Sequence, residues 1–338
     1  MPNPLHDLIV RQIKLNWPIT IATYMDLCLA HPEYGYYRTG NPVGAAGDFI
    51  TAPEVSQLFG EMVGIWAADI IVKLGNPKKI YLCELGPGHG TLMKDVMRVL
   101  SKLGAAIEVH LVEISETLKA KQKEVLGQVV WHSSVETLPD DAPIIFIANE
   151  FFDALSFRQA VKTKVGWQEA VIGLNGDQLA FGLGSLLVGE DLPDAPENSV
   201  YEFSPARETM WEEIVARIDR QKGAALVIDY GHLEPKLVGT FQAVKNHRYA
   251  NVLENPGEQD LTSHVDFSIL KHLAKNVQID HFTTQSEFLK IMGIEIRAEN
   301  LAHSNPSLRE NIMAGLRRLV HRDEMGQLFK VIGISKCT

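Results

Sequence analysis

Cys83-Glu84-Leu85-Gly86-Pro87-Gly88-His89-Gly90-Thr91-Leu92 places three glycines at alternate positions, with an acid two residues before the first. The run before it, KKIYLCEL, reads as a short apolar strand. After it, Leu92, Val96, Val99 and Leu100 recur at helical spacing. A glycine-rich turn between a buried strand and an amphipathic helix brings a ligand against bare backbone, near the partly positive helix start. The dinucleotide pattern G-x-G-x-x-G fits Gly86 and Gly88 but meets Thr91 in third place, because the third glycine is Gly90. Glu84 would repel a pyrophosphate and attract an ammonium. S-adenosyl-L-methionine (AdoMet) has an ammonium, a carboxylate and a sulfonium but no phosphate, so these residues favour it over NAD.

The rest of the chain supplies the frame. IEVHLVEI, VVWHS, APIIFIAN and AALVIDYGH read as further strands, with LKAKQKEVL and Arg207 to Gln221 as helices among them. Strands alternating with helices predict an α/β fold built on a parallel sheet. Residues 1–77 form an N-terminal helical and lid region, including one helix from Glu54 to Leu74. Residues 78–156 and 204–338 form the core. Residues 157–203, with Asn175-Gly176 as a hairpin turn, form a β-rich insertion that caps the substrate. The tail adds helices near VDFSILKHLAK and TQSEFLKIMG and a last strand, FKVIGIS.

Glu113 ends the second strand, where an acid accepts both ribose hydroxyls. Glu136 follows the third, on the adenine side or as a solvated loop acid. Asn149-Glu150-Phe151-Phe152-Asp153 follows the fourth. Asn149, Glu150 and Asp153 would surround the transferred methyl and hold a guanidinium, which stays protonated in water. Phe151 and Phe152 would be walls. Asp153 has a second reading as a helix cap. Asp229 after the fifth strand, and His264, are substrate-side candidates; for Asp229 a turn role stands equally. Asp48 and Phe49 suit a lid over the cofactor, with Tyr34, Tyr36 and Tyr37 nearby, and Thr51 suits a helix cap.

Composition excludes much else. The chain has 338 residues, of which 46% are hydrophobic and 22% charged, enough for a packed core. With 32 Lys and Arg against 42 Asp and Glu, its net charge is −10, which opposes nucleic-acid binding. No apolar run reaches the ~18 residues of a membrane span. The three cysteines, Cys28, Cys83 and Cys337, are too scattered for a zinc knuckle, and no metal site is expected. The N-terminus lacks a secretory or organellar leader pattern, which predicts a cytoplasmic protein. Oligomeric state is left open.

GDFITAPEVSQLFGE, ELGPGHGTLMKDVMR, ANEFFDAL, DLTSHVDF and MGQLFKVIGIS, in that order along the chain, resemble the MidA-like family of class I AdoMet-dependent methyltransferases. These are related to the mitochondrial complex I assembly methyltransferase. The resemblance implies a Rossmann-like seven-stranded sheet and arginine N-methylation of a protein substrate, with symmetric dimethylarginine as product. For the mitochondrial relative it implies a respiratory NADH dehydrogenase subunit as substrate. It carries Gly86, Gly88 and Gly90 onto the cofactor loop, Glu113 onto the ribose, and Asn149, Glu150 and Asp153 onto the NEFFDA signature. An NAD-linked oxidoreductase and a methyltransferase-fold assembly chaperone are the competing functions.

Overall fold

The computed structural model describes residues 3–39, 51–104, 106–188 and 192–337. Its main sheet is built on seven strands: β1 Lys79–Leu85, β2 Ala106–Val112, the three-residue β3 Val130–His132, β4 Ile144–Asn149, β5 Gly223–His232, β6 Gln278–Thr284 and β7 Phe329–Lys336. They lie in the order β6-β7-β5-β4-β1-β2-β3, and a two-residue strand, Val265–Asp266, joins β5. All pair in parallel except β7, which runs antiparallel to both neighbours. The seven-stranded α/β sheet implied by the resemblance is present.

Alternation along the strands explains why they are apolar throughout. Ile80 and Leu82 of β1 and Ile145 and Ile147 of β4 face the helices Gln57–Lys73 and Thr91–Leu100. Tyr81, Cys83, Ile144, Phe146 and Ala148 face the other way, onto Trp211, Ile214 and Ile218 of the helix Pro205–Gln221. With both faces covered, every residue of β4 is buried, as its apolar run required. The chain moves from β1 outward to β2 and β3, then returns to place β4 on the other side of β1. That reversal opens a crevice beyond the carboxyl ends of β1 and β4.

The cap is built differently from the sequence reading. Ile19 and Thr20 pair with Ile172 and Val171 of the strand Gly166–Asn175, so the N-terminal segment belongs to the sheet of the insertion. Leu5, Ile9, Ile21, Tyr24 and Cys28 share one core with Phe157, Ala170, Ile172, Ala243 and Leu261. Residues 241–261, assigned to the main core from sequence, thus help to build the cap. A two-residue strand has no periodicity to betray it. The Asn175-Gly176 signal does mark a hairpin, whose second strand is Gln178–Leu186.

The expected helix from Glu54 is broken. A short helix, Ala52–Val55, ends at Ser56, whose extended backbone (φ −163°) and side chain then cap the helix Gln57–Lys73. The tail helices Ile294–Ser304 and Arg309–Val320, and the half-buried strand β6, are not among the elements expected from sequence.

Candidate active site

A cavity of about 440 Å³ opens at the crevice. It is lined by the glycine loop, the ends of β1, β2 and β4, the loop after β3, and the helix Ile21–Ala30 of the cap. Its described lining includes six carboxylic residues, Asp26, Glu54, Glu84, Glu113, Glu136 and Glu150, and no lysine or arginine. That polarity rejects phosphates and suits a cation.

The turn after β1 needs its glycines. Gly86 has φ +61°, and a Cβ there would stand 2.7 Å from the Phe151 ring. Gly90 does not line the cavity. It caps the helix Thr91–Leu100 at φ +82°, where a Cβ would press on Leu126 at 3.1 Å. Its role is to seat the loop on the next helix. Gly88 lines the cavity at φ +52°.

Glu84 is in phase with Ile80 and Leu82, so it is carried inward and is only 3% exposed. Burial pushes its pKa well above the ordinary range, opposed by the Met93 amide. Its Oε2 has no hydrogen-bond partner among the described residues. Asn149, on the neighbouring strand, likewise has a buried, unpartnered Oδ1, and both residues line the cavity. Two acceptors stripped of water without partners are costly unless a ligand supplies donors. Cationic N–H groups are such donors.

Glu113 is better served. Its Oε1 accepts the Ser115 amide at 2.7 Å and its Oε2 accepts Gln122 Nε2 at 3.1 Å. Burial raises its pKa, and these bonds oppose the rise. Gln122 also donates to the Gly88 carbonyl at 2.8 Å, while its Oε1 accepts Trp131 Nε1–H at 2.8 Å. One fully buried amide thus joins Glu113 to the glycine loop. The sequence reading missed it, although Leu118-Gln122-Leu126 lie four apart on a single helix face. Gln122→Leu should weaken AdoMet binding roughly 10-fold, through loss of hydrogen bonds worth about 1.5 kcal/mol. Calorimetric titration checks this; unchanged affinity would remove Gln122 from the site. The adenine-side candidate Glu136 is exposed at the rim, beside Ser133 and Ser134.

The loop after β4 is held under strain. Glu150 has φ +52°, the left-handed region that non-glycine residues avoid. Its Oε1 accepts Asn149 Nδ2 at 3.0 Å and the Ala52 amide at 3.1 Å. Burial pushes its pKa up to about 8, opposed by the Ala52 amide. Phe151 lines the cavity, but Phe152 does not. It is wholly buried against Trp211, a core residue and not the expected wall. Asp153 also stays off the cavity surface. Burial raises its pKa to about 6, against the pull of the Arg207 guanidinium. It caps no helix, because the chain turns and enters the strand Arg158–Thr163.

Asp229 corrects the expectation that it meets substrate. One carboxylate oxygen accepts the amides of Phe151, Phe152 and Asp153 at 3.2, 2.8 and 3.1 Å, and the other accepts the Tyr230 amide. With no exposed surface, it holds the turn. Arg207, unnoticed in the sequence, clamps the same loop. Its guanidinium donates to the carbonyls of Phe152, Asp153, Leu155, Ser263 and His264 and to Ser263 Oγ. Arg207→Met would leave buried carbonyls unpaired and Asp153 and Asp229 without their cation. It should destabilise the protein by about 3–5 kcal/mol in chemical denaturation; a loss below 1 kcal/mol would contradict the clamp.

His264 lies outside the main cavity, on a separate small one with His232 and Lys236, where burial drives its pKa down to about 4. Asp266 caps the helix Phe267–Leu273. Thr51 has cap backbone geometry without a cap hydrogen bond, and its side of the short helix faces the cavity. Of the three tyrosines, Tyr37 lines the cavity, and its hydroxyl donates to Asp260 at 2.8 Å. Asp48 and Phe49 lie outside the described residues. Among the described residues, no cluster of three His, Cys, Asp or Glu could hold a metal ion, and no helix is long and apolar enough to cross a membrane.

A cavity of this polarity at the switch point of a seven-stranded sheet with a reversed last strand defines a class I AdoMet-dependent methyltransferase. Residues 62–284 match the family model Methyltransf_28, described as S-adenosyl-L-methionine-dependent methyltransferases, and the chain belongs to that family. A Xenopus tropicalis protein named protein arginine methyltransferase NDUFAF7, mitochondrial, is 34% identical, covering 98% of this chain and 86% of its own. Its human counterpart is 34% identical over 98% of this chain and 83% of its own. A COG1565 superfamily protein from Burkholderia thailandensis, solved with bound S-adenosylhomocysteine, superposes with a TM-score of 0.88 at 26% identity, covering 100% of this chain and 95% of its own. The cofactor is AdoMet. One expectation is overturned: the relatives are named as mitochondrial, so the cytoplasmic assignment does not stand.

Proposed function

We propose that this chain transfers methyl groups from AdoMet to arginine side chains of a protein. The observation that carries the reading is the cavity's charge: six carboxylic residues and no lysine or arginine in its described lining. Two cations must share that space, the cofactor ammonium and the substrate guanidinium. Relatives matching nearly the whole chain are named protein arginine methyltransferases, which supports the same substrate.

When bound, the cofactor supplies an electrophilic methyl on a sulfonium. This chain's residues supply position and charge. Glu84 takes the ammonium, Glu113 the ribose hydroxyls, and Ser133, Ser134 and Glu136 flank the adenine side. Asn149 Oδ1 and the Glu150 carboxylate accept N–H bonds from the guanidinium and turn one nitrogen toward the methyl. A guanidinium beside Glu150 draws its pKa down from about 8, so the bound pair is ionic. Once the nitrogen is methylated and must lose a proton, the same carboxylate is the nearest base of suitable strength.

The test is incubation of the protein with labelled AdoMet and lysate from cells lacking it, then mass spectrometry of hydrolysed protein. Label in methylated arginine is the expected result. Label confined to lysine, to another residue or to small molecules would refute the substrate assignment.

A further inference from the structure

The short helix Ala52–Val55 touches both halves of the site. Its Glu54 Oε1 accepts Thr91 Oγ1–H at 2.8 Å and lies 3.6 Å from His89 Nδ1, so it grips the glycine loop. Two residues earlier, the Ala52 amide donates to Glu150 Oε1. We propose that Glu54 is a positioning residue that ties the glycine loop to the Glu150 carboxylate, so that cofactor occupancy of the loop fixes the substrate-facing acid. The inference rests on the role given to Glu150 above.

Three features make the segment a mechanical link. It is a closed turn, with the amides of Glu54 and Val55 both donating to the Thr51 carbonyl at 2.9 and 3.2 Å. It is braced from behind, since Ala52 is wholly buried in the core and Gly315 of the tail helix Arg309–Val320 packs on Ser56. A displacement at Glu54 is therefore passed to Ala52 instead of being absorbed between them. At its two ends are a glycine-rich loop and a residue held in a left-handed backbone conformation. The loop is a run of positive-φ glycines, Gly86, Gly88 and Gly90, and Glu150 is held in a conformation it would leave if released. His89, Thr91, Glu54 and Glu150 all line one cavity, so a ligand that orders the first two reaches Glu150 through the segment.

A direct contact between Glu54 and the cofactor is the competing explanation, and the two separate by substitution. Thr91→Val removes the hydroxyl without touching the acid. Thr91→Ser keeps it, and Glu54→Gln keeps an acceptor without charge. The measurement is hydrogen exchange on the full chain, with and without saturating S-adenosylhomocysteine. In the wild type, ligand should slow exchange at residues 51–55 and 150–153 as well as in the glycine loop. In Thr91→Val and Glu54→Ala the loop should still be protected, but ligand-induced protection at 51–55 and 150–153 should fall about 10-fold or more. Thr91→Ser and Glu54→Gln should restore it, which a general loss of stability would not allow. Wild-type behaviour in Thr91→Val, or a Glu54→Gln defect as deep as that of Glu54→Ala, would overturn the link alone. Failure of the wild type to bind the ligand would overturn the functional reading with it.

Discussion

Glu84→Gln should make the ligand-free protein more stable and cost it about 100-fold or more in AdoMet affinity. Both effects come from one orphaned oxygen. In the wild type, folding buries a carboxyl whose Oε2 finds no donor, and burial raises its pKa. The folded state then binds more protons than the unfolded one. Stability from such a group is full below the unfolded value of 4.5 and lost as pH rises through the folded value. Glu150, raised to about 8, and Asp153, raised to about 6, act in the same direction. Ligand-free protein should therefore lose stability between about pH 5 and 8, and Glu84→Gln should flatten part of that slope. The affinity loss follows because removing one member of a buried charge pair leaves the other unpaired, at about 2–5 kcal/mol. Melting curves with and without AdoMet across that pH range measure both. A variant that is destabilised, or that still binds normally, would contradict the assignment.

Glu150→Gln should lower kcat by about 10²–10⁴-fold while leaving AdoMet affinity near that of the wild type. The amide keeps the Ala52 and Asn149 contacts but loses the charge that faces the guanidinium and the base that takes its proton. In the wild type, kcat/KM for the arginine substrate should climb with pH and level off near pH 8, as Glu150 ionises in the free enzyme. The variant's profile should lack that rise. Single-turnover rates with labelled AdoMet separate the loss of chemistry from any loss of binding. A kcat within a few-fold of the wild type would remove Glu150 from the reaction.

The sequence showed the strand-end residues of this cavity better than those of the loop after β4. Glu84, Gly86, Gly88, Glu113 and Glu136 each follow directly from a strand end, and strand ends are what a buried apolar run marks. They converge on the cavity because a parallel sheet aligns them. The loop after β4 depends on contacts between segments far apart in the chain. Asp229 lies at a strand end too, yet its carboxylate is consumed by three amides of the β4 loop, which no local pattern announces. Phe151 and Phe152 are adjacent and alike, but only the first reaches the cavity, while the second turns into the core against Trp211. Arg207 meets its carbonyls across more than fifty residues of sequence separation. The cap was misdivided for the same reason: Ile19 finds its partner at Ile172.

Glu84, the buried acid at the end of β1, is the group assigned to the cofactor's ammonium. Calorimetric titration of S-adenosylhomocysteine into the wild type and Glu84→Gln tests that assignment most directly. A loss of about 100-fold or more in affinity in the variant is the predicted result. Wild-type affinity in Glu84→Gln would contradict it.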